Sequence, residues 1–194
     1  ESEYDEAIAA PNVLSLCKQA AQEGCDGIFI NCFGDPGVRA ARECVDIPVF
    51  GGFEPAIHLA LGLADKVGIV TVLPNVLSLI DGSITRAQLQ GRVISLTSID
   101  IPVADLQQHD RLCAALLEEC KRVIRTCGVQ AIVLGCTAMV GVAEQVREDL
   151  RKDGYDVPVL EAAQAAVMLL ELQAKMKLRQ SRITYMTPPE HPAV

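Results

Sequence analysis

The sequence predicts an α/β protein of two pseudo-symmetric lobes, each built around a parallel sheet, with a cleft between the lobes. Three observations lead to this fold. Short apolar runs alternate with longer amphipathic stretches, which is the pattern of parallel strands connected by helices. Half of the 194 residues are hydrophobic, so a core of ordinary size is available. A pattern of strand, cysteine, turn and helix also occurs twice along the chain.

The elements follow from local patterns taken in chain order. Apolar stretches rich in β-branched residues and bounded by turn residues predict strands at 27–31, 48–51, 67–72, 93–97, 131–135 and 157–160. The amphipathic stretches between them predict helices at 5–23, 36–44, 54–63, 75–90, 107–127, 140–152 and 162–178. Residues 179–194 are rich in proline and have no periodic pattern, so we expect a flexible tail there.

Cys32 and Cys136 occupy equivalent places in the repeated pattern. The segments CDGIFINCFGDPGVRAAREC and VQAIVLGCTAMVGVAEQVRE each contain an apolar strand, a cysteine, a short turn and a Gly-Val pair that begins a helix. Each then reaches a strand introduced by proline. The two cysteines are too far apart for a solenoid repeat, and two lobes fit better. We therefore place the first lobe at residues 1–64, joined by the helix at 161–178, and the second lobe at residues 65–160.

The position of both cysteines at strand ends suggests chemistry. Parallel sheets bind ligands beyond the carboxyl ends of their strands, so facing lobes would present Cys32 from one wall of the cleft and Cys136 from the other. A helix N-terminus beside each thiol favours the thiolate, and lowering a cysteine pKa from about 8.5 to about 7 takes roughly 2 kcal/mol. The alternative is that both are packed core residues, since cysteine is often buried. The residues alone leave both explanations open.

Composition argues against several classes of function. A net charge of −8 and an aromatic content of 4% argue against a nucleic-acid partner. No apolar run is long enough for a membrane span, and no secretory signal is present, so we expect no membrane partner and a cytoplasmic location. The remaining six cysteines are expected to be buried free thiols in a reducing compartment: Cys17, Cys25, Cys44, Cys113, Cys120 and Cys127.

Glu54 and His58 lie four residues apart on a predicted helix, a spacing that also occurs in metal sites. No second cluster of histidine and carboxylate residues completes such a site, so we expect no metal. The simpler interpretation places Glu54 at the helix N-terminus, where the helix dipole favours it, and packs His58 against the neighbouring lobe.

These motifs resemble the aspartate/glutamate/hydantoin racemase superfamily, in particular its hydantoin and allantoin racemase branch. The resemblance covers about residues 4–172 and rests on CFGDPG, GGFEPAIHLA, KVGIVTVL and AIVLGCTAM. It implies two flavodoxin-like lobes with the active site between them. It also implies racemisation, without a cofactor, of a hydantoin, allantoin or a related amino-acid derivative. Cys32 and Cys136 would then be the catalytic acid and base on opposite faces of the stereogenic carbon, with roles set by the enantiomer bound.

The resemblance further implies that backbone N–H groups bind the substrate and stabilise its enolate. The matching positions are Phe33, Gly34, Asp35, Thr71, Val72, Thr137 and Ala138. Two of these have a second explanation. Thr71 is also a typical β-branched strand residue. The side chain of Asp35 is expected to cap the helix that Pro36 opens, which leaves only its backbone for the ligand.

Other activities on the same scaffold stay open. Arylmalonate decarboxylases keep one active cysteine, on the side of Cys136, whereas maleate isomerases keep two and use one as a nucleophile. The presence of Cys32 weighs against the decarboxylase. A non-catalytic ligand-binding protein is the third alternative. We expect a small-molecule substrate and a homo-oligomer. Family members also have a strand ahead of the position of Glu1, so we expect the chain as given to be impaired or completed by further residues.

Overall fold

The computed structural model describes residues 2–189, in which helices alternate with the strands of two parallel sheets. The strands are β1 (Ile28–Phe29), β2 (Val49–Phe50), β3 (Val67–Thr71), β4 (Val93–Ser98), β5 (Ala131–Leu134) and β6 (Val159–Glu161). The helices are α1 (Glu3–Gln22), α2 (Val38–Cys44), α3 (Phe53–Leu61), α4 (Leu77–Arg86), α5 (His109–Cys127), α6 (Ala143–Lys152) and α7 (Ala162–Lys175). The predicted strands and helices are confirmed, with ends that differ by a few residues.

The two sheets differ in size. The first pairs β1 with β2, and the second has the strand order β4-β3-β5-β6. All of these pairings are parallel, as the alternation of strands and helices predicted. In a parallel sheet the carboxyl ends of the strands share one edge. The segments that follow β3 and β5 therefore lie side by side at the edge of the second sheet.

Three hydrophobic clusters hold these layers together. The cluster of the first sheet lies beneath α1 and α2 and includes Cys17, Ala41 and Val49. One face of the second sheet packs against α5 and α6. Its other face packs against α3 and α7, where Ile57 contributes to the same cluster as Ile69. Because α3 directly follows β2, this core connects the first sheet to the second.

Helix α5 shows how the pattern of the sequence produces this packing. Its buried residues are Leu112, Leu116, Cys120 and Val123, spaced three or four apart and so placed on one face. The helix ends at Gly128, whose φ of 72° is the left-handed conformation that glycine adopts readily. The Gly128 N–H donates to the carbonyl of Ile124.

Two expectations about burial are wrong. Cys17 and Cys120 are buried and Cys44 and Cys113 half-buried, but Cys25 and Cys127 are exposed. Cys127 is the last residue of α5 and lies beyond the stripe that faces the core, and Cys25 lies in the turn after α1. His58 is also exposed and does not pack against the other lobe, because α3 directs Ala56, Ile57 and Ala60 inwards instead.

The segment after α7 contacts the first lobe. The Gln180 amide donates to the carbonyls of Val45 and Ile47, at 2.7 and 3.0 Å. Tyr185 accepts a hydrogen bond from the Arg42 guanidinium at 3.0 Å. The flexibility of residues 179–194 stays a prediction, and residues 190–194 lie outside the described part. Within residues 2–189, no helix is both long and apolar enough to cross a membrane.

Candidate active site

A cavity of about 240 Å³ lies where the segments after β1, β3 and β5 meet. Both predicted catalytic cysteines line it, Cys32 from the first lobe and Cys136 from the second. The structure therefore brings together two thiols that are far apart in sequence. All of the predicted substrate-binding residues except Asp35 also line this cavity: Phe33, Gly34, Thr71, Val72, Thr137 and Ala138.

Cys32 is held by the backbone at the end of β1. Its N–H donates to the carbonyl of Ile30 at 2.7 Å, and its carbonyl accepts from the N–H of Gly52 at 3.0 Å. The next residue, Phe33, is buried and packs edge-to-face against Phe53, with ring centroids 5.7 Å apart. These contacts fix the turn that carries the thiol.

The electrostatic surroundings of Cys32 favour the thiol. Burial raises its pKa above the ordinary value, and the negative charges of Glu6 and Asp35 and an ionised Cys136 act in the same direction. A hydrogen bond from the Gly34 N–H opposes them. The sequence predicted the reverse, a pKa lowered by a helix N-terminus. The main reason for the difference is the burial of the thiol, and α2 begins only at Val38, six residues after Cys32.

Cys136 is held by the corresponding turn after β5. The N–H of Gly135 donates to the carbonyl of Val70 at 2.8 Å, and the Cys136 carbonyl accepts from the N–H of Met139 at 3.1 Å. A Cβ at Gly135 would lie only 2.7 Å from Ile69 Cγ2, so glycine lets β5 approach β3 closely at this edge. The position of Cys136 thus depends on the packing of the second sheet.

The turns after the two cysteines meet at Gly52. A Cβ at this position would lie 2.7 Å from Thr137 Cγ2 and 3.2 Å from Phe33 Cα. Thr137 itself is buried. The absence of a side chain at Gly52 therefore allows the two halves of the candidate site to approach each other.

Thr71 has a role within the sheet. Its side chain is fully buried, and its hydroxyl donates to the carbonyl of Gly135 at 2.8 Å. The hydroxyl thereby joins the carboxyl ends of β3 and β5. The Thr71 carbonyl accepts from the N–H of Ile99 at 3.0 Å, and the substrate contact that the sequence resemblance implied stays a prediction.

Asp35 differs from its predicted role as a cap of the helix opened by Pro36. Its φ of 59° lies in the left-handed region, and its Oδ1 accepts from the N–H of Phe53 at 3.2 Å, at the start of α3. Gly51 makes room for this carboxyl group, since a Cβ there would lie 2.0 Å from Oδ1. Burial raises the pKa of Asp35 to about 7. The residue lines a neighbouring cavity of about 110 Å³.

The second copy of the repeated pattern caps a helix in the opposite sense. Glu161, at the end of β6, accepts from the N–H groups of Val142 and Ala143 at the start of α6, both at 3.0 Å. In the first copy, Asp35 follows β1 and caps α3, which is the helix after β2. The two copies of the pattern therefore contain one capping carboxylate each, but on different turns.

Several residues of the cavity were not predicted from the sequence. They are Ser2, Glu6, Asn31, Val76, Leu79, Ile80, Val103 and Gly135. Asn31 could have been predicted as a cavity residue, because it directly precedes Cys32 at a strand end. Glu6 could not have been predicted, because an acidic residue is common in the first turn of any helix. Within residues 2–189, no group of three His, Cys, Asp or Glu side chains is arranged to hold a metal ion.

Comparisons with known proteins find relatives in both sequence and structure. The sequence model of the Asp/Glu/Hydantoin racemase family matches residues 1–170. Hydantoin racemase of Pseudomonas sp. (strain NS671) is 33% identical over 190 residues, which is 97% of this chain and 74% of that protein. The structure of allantoin racemase from Klebsiella pneumoniae is similar with a TM-score of 0.91 and 35% identity, over 100% of this chain and 78% of that one.

A second solved structure gives the same fold. Allantoin racemase from Pseudomonas fluorescens is similar with a TM-score of 0.91 and 26% identity, over 100% of this chain and 81% of that one. The two-lobed arrangement predicted from the sequence is therefore that of known racemases.

Proposed function

Because the chain belongs to the Asp/Glu/hydantoin racemase family, we propose that it is an isomerase that racemises hydantoins, allantoin or a related amino-acid derivative. It acts without a cofactor, by proton transfer between the substrate and two cysteines. The names of its relatives support the substrate class, since they are hydantoin and allantoin racemases.

The observation that carries the proposal is the presence of both thiols in one cavity, each from a different lobe. Inversion of a carbon centre needs a base on one face and an acid on the other. Cys32 and Cys136 supply one such group each. As a thiolate, one removes the proton from the stereogenic carbon; as a thiol, the other delivers a proton to the opposite face.

Burial is the main cause of the raised pKa of Cys32, and the charges of the pair disfavour two thiolates at the same time. The charge of an ionised Cys136 raises the pKa of Cys32, so a second thiolate is disfavoured once the first has formed. One thiol and one thiolate are what a two-base racemase requires before each turnover. After one cysteine has taken a proton from the substrate and the other has given its own proton to the opposite face, the two cysteines have exchanged protonation states.

The enolate formed in this reaction needs hydrogen-bond donors. The turns after the two cysteines carry backbone N–H groups next to the thiols, at Phe33, Gly34, Asp35, Thr137 and Ala138. The Gly34 N–H already interacts with the sulfur of Cys32 in this structure. We assign these turns, with the backbone of Thr71 and Val72, to stabilisation of the enolate oxygen.

The proposal is tested by following racemisation and solvent deuterium exchange at the stereogenic carbon in D2O. The substrates are single enantiomers of 5-substituted hydantoins, allantoin, aspartate and glutamate. Wild type is compared with Cys32→Ser, Cys136→Ser and the control Cys25→Ser, which changes an exposed thiol outside the cavity. Racemisation of one substrate class by wild type and Cys25→Ser, but by neither of the other variants, is expected.

Other outcomes of this experiment would favour a different function. Loss of racemisation in Cys136→Ser with full activity in Cys32→Ser would exclude the two-base mechanism and favour chemistry with one cysteine. No exchange with any substrate in the wild-type protein would contradict the racemase proposal. Rapid alkylation of one cysteine by a substrate alkene would then favour an isomerase that uses a nucleophilic thiol.

A further inference from the structure

Glu6 brings a negative charge to the cavity of the two cysteines. Among the described residues that line this cavity, Glu6 is the acidic side chain, and lysine, arginine and histidine are absent. It projects from the first turn of α1 and is half-buried. Its Oε1 lies against Gly34, where an added Cβ would be only 1.7 Å away. The carboxyl group is therefore part of the wall next to the turn that carries Cys32.

The Glu6 carboxyl group has unused capacity to accept hydrogen bonds. No side-chain hydrogen bond or ion pair joins it to another residue within 2–189. Burial raises its pKa, which reflects the loss of water around the charged form. A carboxylate placed in this way gains most from a ligand that donates N–H groups.

We propose that Glu6 is a specificity-determining residue, which accepts a hydrogen bond from an N–H group of a neutral cyclic ureide and disfavours substrates that carry a carboxylate. This inference rests on the proposed function above, and it assigns a role to a residue outside the cysteine pair. A hydantoin ring offers N–H donors and no negative charge. An amino-acid substrate would bring a carboxylate into a cavity that already holds Glu6 and has no basic residue among its described lining.

A purely structural role for Glu6 gives different expectations. Acidic residues in the first turn of a helix interact favourably with its dipole, and α1 has three of them: Glu3, Asp5 and Glu6. Glu3 is exposed and does not line the cavity of the cysteines. Glu3→Gln therefore removes the same charge from the same turn without changing the cavity, which makes it a matched control for Glu6→Gln.

The test measures binding separately from turnover. The probe is 5,5-dimethylhydantoin, which has ring N–H groups but two methyl groups and no hydrogen at C5, so it is achiral and cannot be deprotonated there. Its Kd is measured by isothermal titration calorimetry for wild type, Glu6→Gln, Glu6→Ala and Glu3→Gln. We expect the Kd to rise about tenfold in Glu6→Ala and less in Glu6→Gln, whose amide oxygen still accepts, and to stay unchanged in Glu3→Gln.

An anionic probe gives the opposite expectation. N-carbamoylglycine carries the same ureide N–H groups and a carboxylate, so its Kd should fall in Glu6→Gln relative to wild type. In racemisation assays with a neutral hydantoin, Glu6→Gln should raise KM more than it lowers kcat. Urea unfolding of each variant checks that all of them are folded under the conditions of the binding measurements.

The results separate this inference from the proposed function. An unchanged Kd for 5,5-dimethylhydantoin in a folded Glu6→Ala, or no binding of this probe by wild type, would overturn the role of Glu6. The expected binding pattern without any racemisation of 5-monosubstituted hydantoins would support the role of Glu6 and contradict the racemase proposal.

Discussion

Gly52→Ala is expected to reduce both the stability of the protein and its turnover, because Gly52 lies where the two cysteine turns meet. The added Cβ would lie 2.7 Å from Thr137 Cγ2 and 3.2 Å from Phe33 Cα. The first distance is too short for two carbon atoms. The second involves the backbone, which cannot rotate away as a side chain can. The Gly52 N–H also donates to the carbonyl of Cys32, so a shift at Gly52 moves the thiol.

The size of the effect follows from this geometry. Overpacking of a buried site costs about 1–3 kcal/mol, and we expect a loss of free energy of unfolding in that range. Relief of the contact needs the turns of Phe33 and Thr137 to separate by a few tenths of an ångström. Since a misplacement of about 1 Å costs roughly a hundredfold in rate, we expect kcat for racemisation to fall on the order of tenfold.

Gly82→Ala is the matched control. Gly82 lies inside α4, and no atom lies within 4 Å of an added Cβ. The same substitution there should stabilise the protein by about 0.5–1 kcal/mol, because alanine favours the helix, and should leave kcat unchanged. Urea unfolding and racemisation assays measure both variants. Wild-type stability and kcat in Gly52→Ala would refute the close approach of the two turns.

Three further predictions concern other parts of the structure. Burial raises the pKa of Asp35 to about 7, so the unfolded chain loses this proton first and the stability due to Asp35 falls as pH rises from about 4 to about 7. In urea unfolding at a series of pH values, Asp35→Asn should gain stability relative to wild type across that range. A stability difference between the two proteins that does not change with pH would contradict the raised pKa of Asp35. Tyr185→Phe removes the hydroxyl that accepts from Arg42 and should lower the free energy of unfolding by about 1 kcal/mol. A urea midpoint equal to that of wild type would show that this hydrogen bond does not stabilise the fold. A disulfide reagent should label exposed Cys127 in the native protein, and Cys120, whose pKa burial raises to about 12, only after unfolding; equal labelling rates in mass spectrometry would contradict the fold of α5.

The presence of both cysteines in one cavity was predictable because their positions depend on simple rules. Cys32 and Cys136 each follow an apolar stretch whose composition is typical of a strand, and parallel strands carry their ligands at their carboxyl ends. The repeated pattern around them indicated two lobes. These signals are local in sequence, so they can be recognised without knowing how the lobes pack.

The remaining features of the site depend on packing between distant segments. The carboxyl group of Asp35 caps α3 only because Gly51 leaves room for it and the backbone of Asp35 adopts a left-handed conformation. Glu6 reaches the cavity because α1 packs against the turn at Gly34. The exposure of His58 depends on the rotation of α3 about its axis. None of these can be read from residue types or spacing.

The central claim, that two thiols exchange protons with opposite faces of the substrate, is tested most directly by the position of deuterium at early conversion. A single enantiomer of a 5-substituted hydantoin is incubated with the enzyme in D2O, and substrate and product are separated by chiral chromatography and analysed by mass spectrometry. The two-thiol mechanism predicts deuterium in the product enantiomer, while the recovered substrate keeps its hydrogen. Deuterium in both enantiomers from the start, with the same distribution in Cys32→Ser, would contradict it.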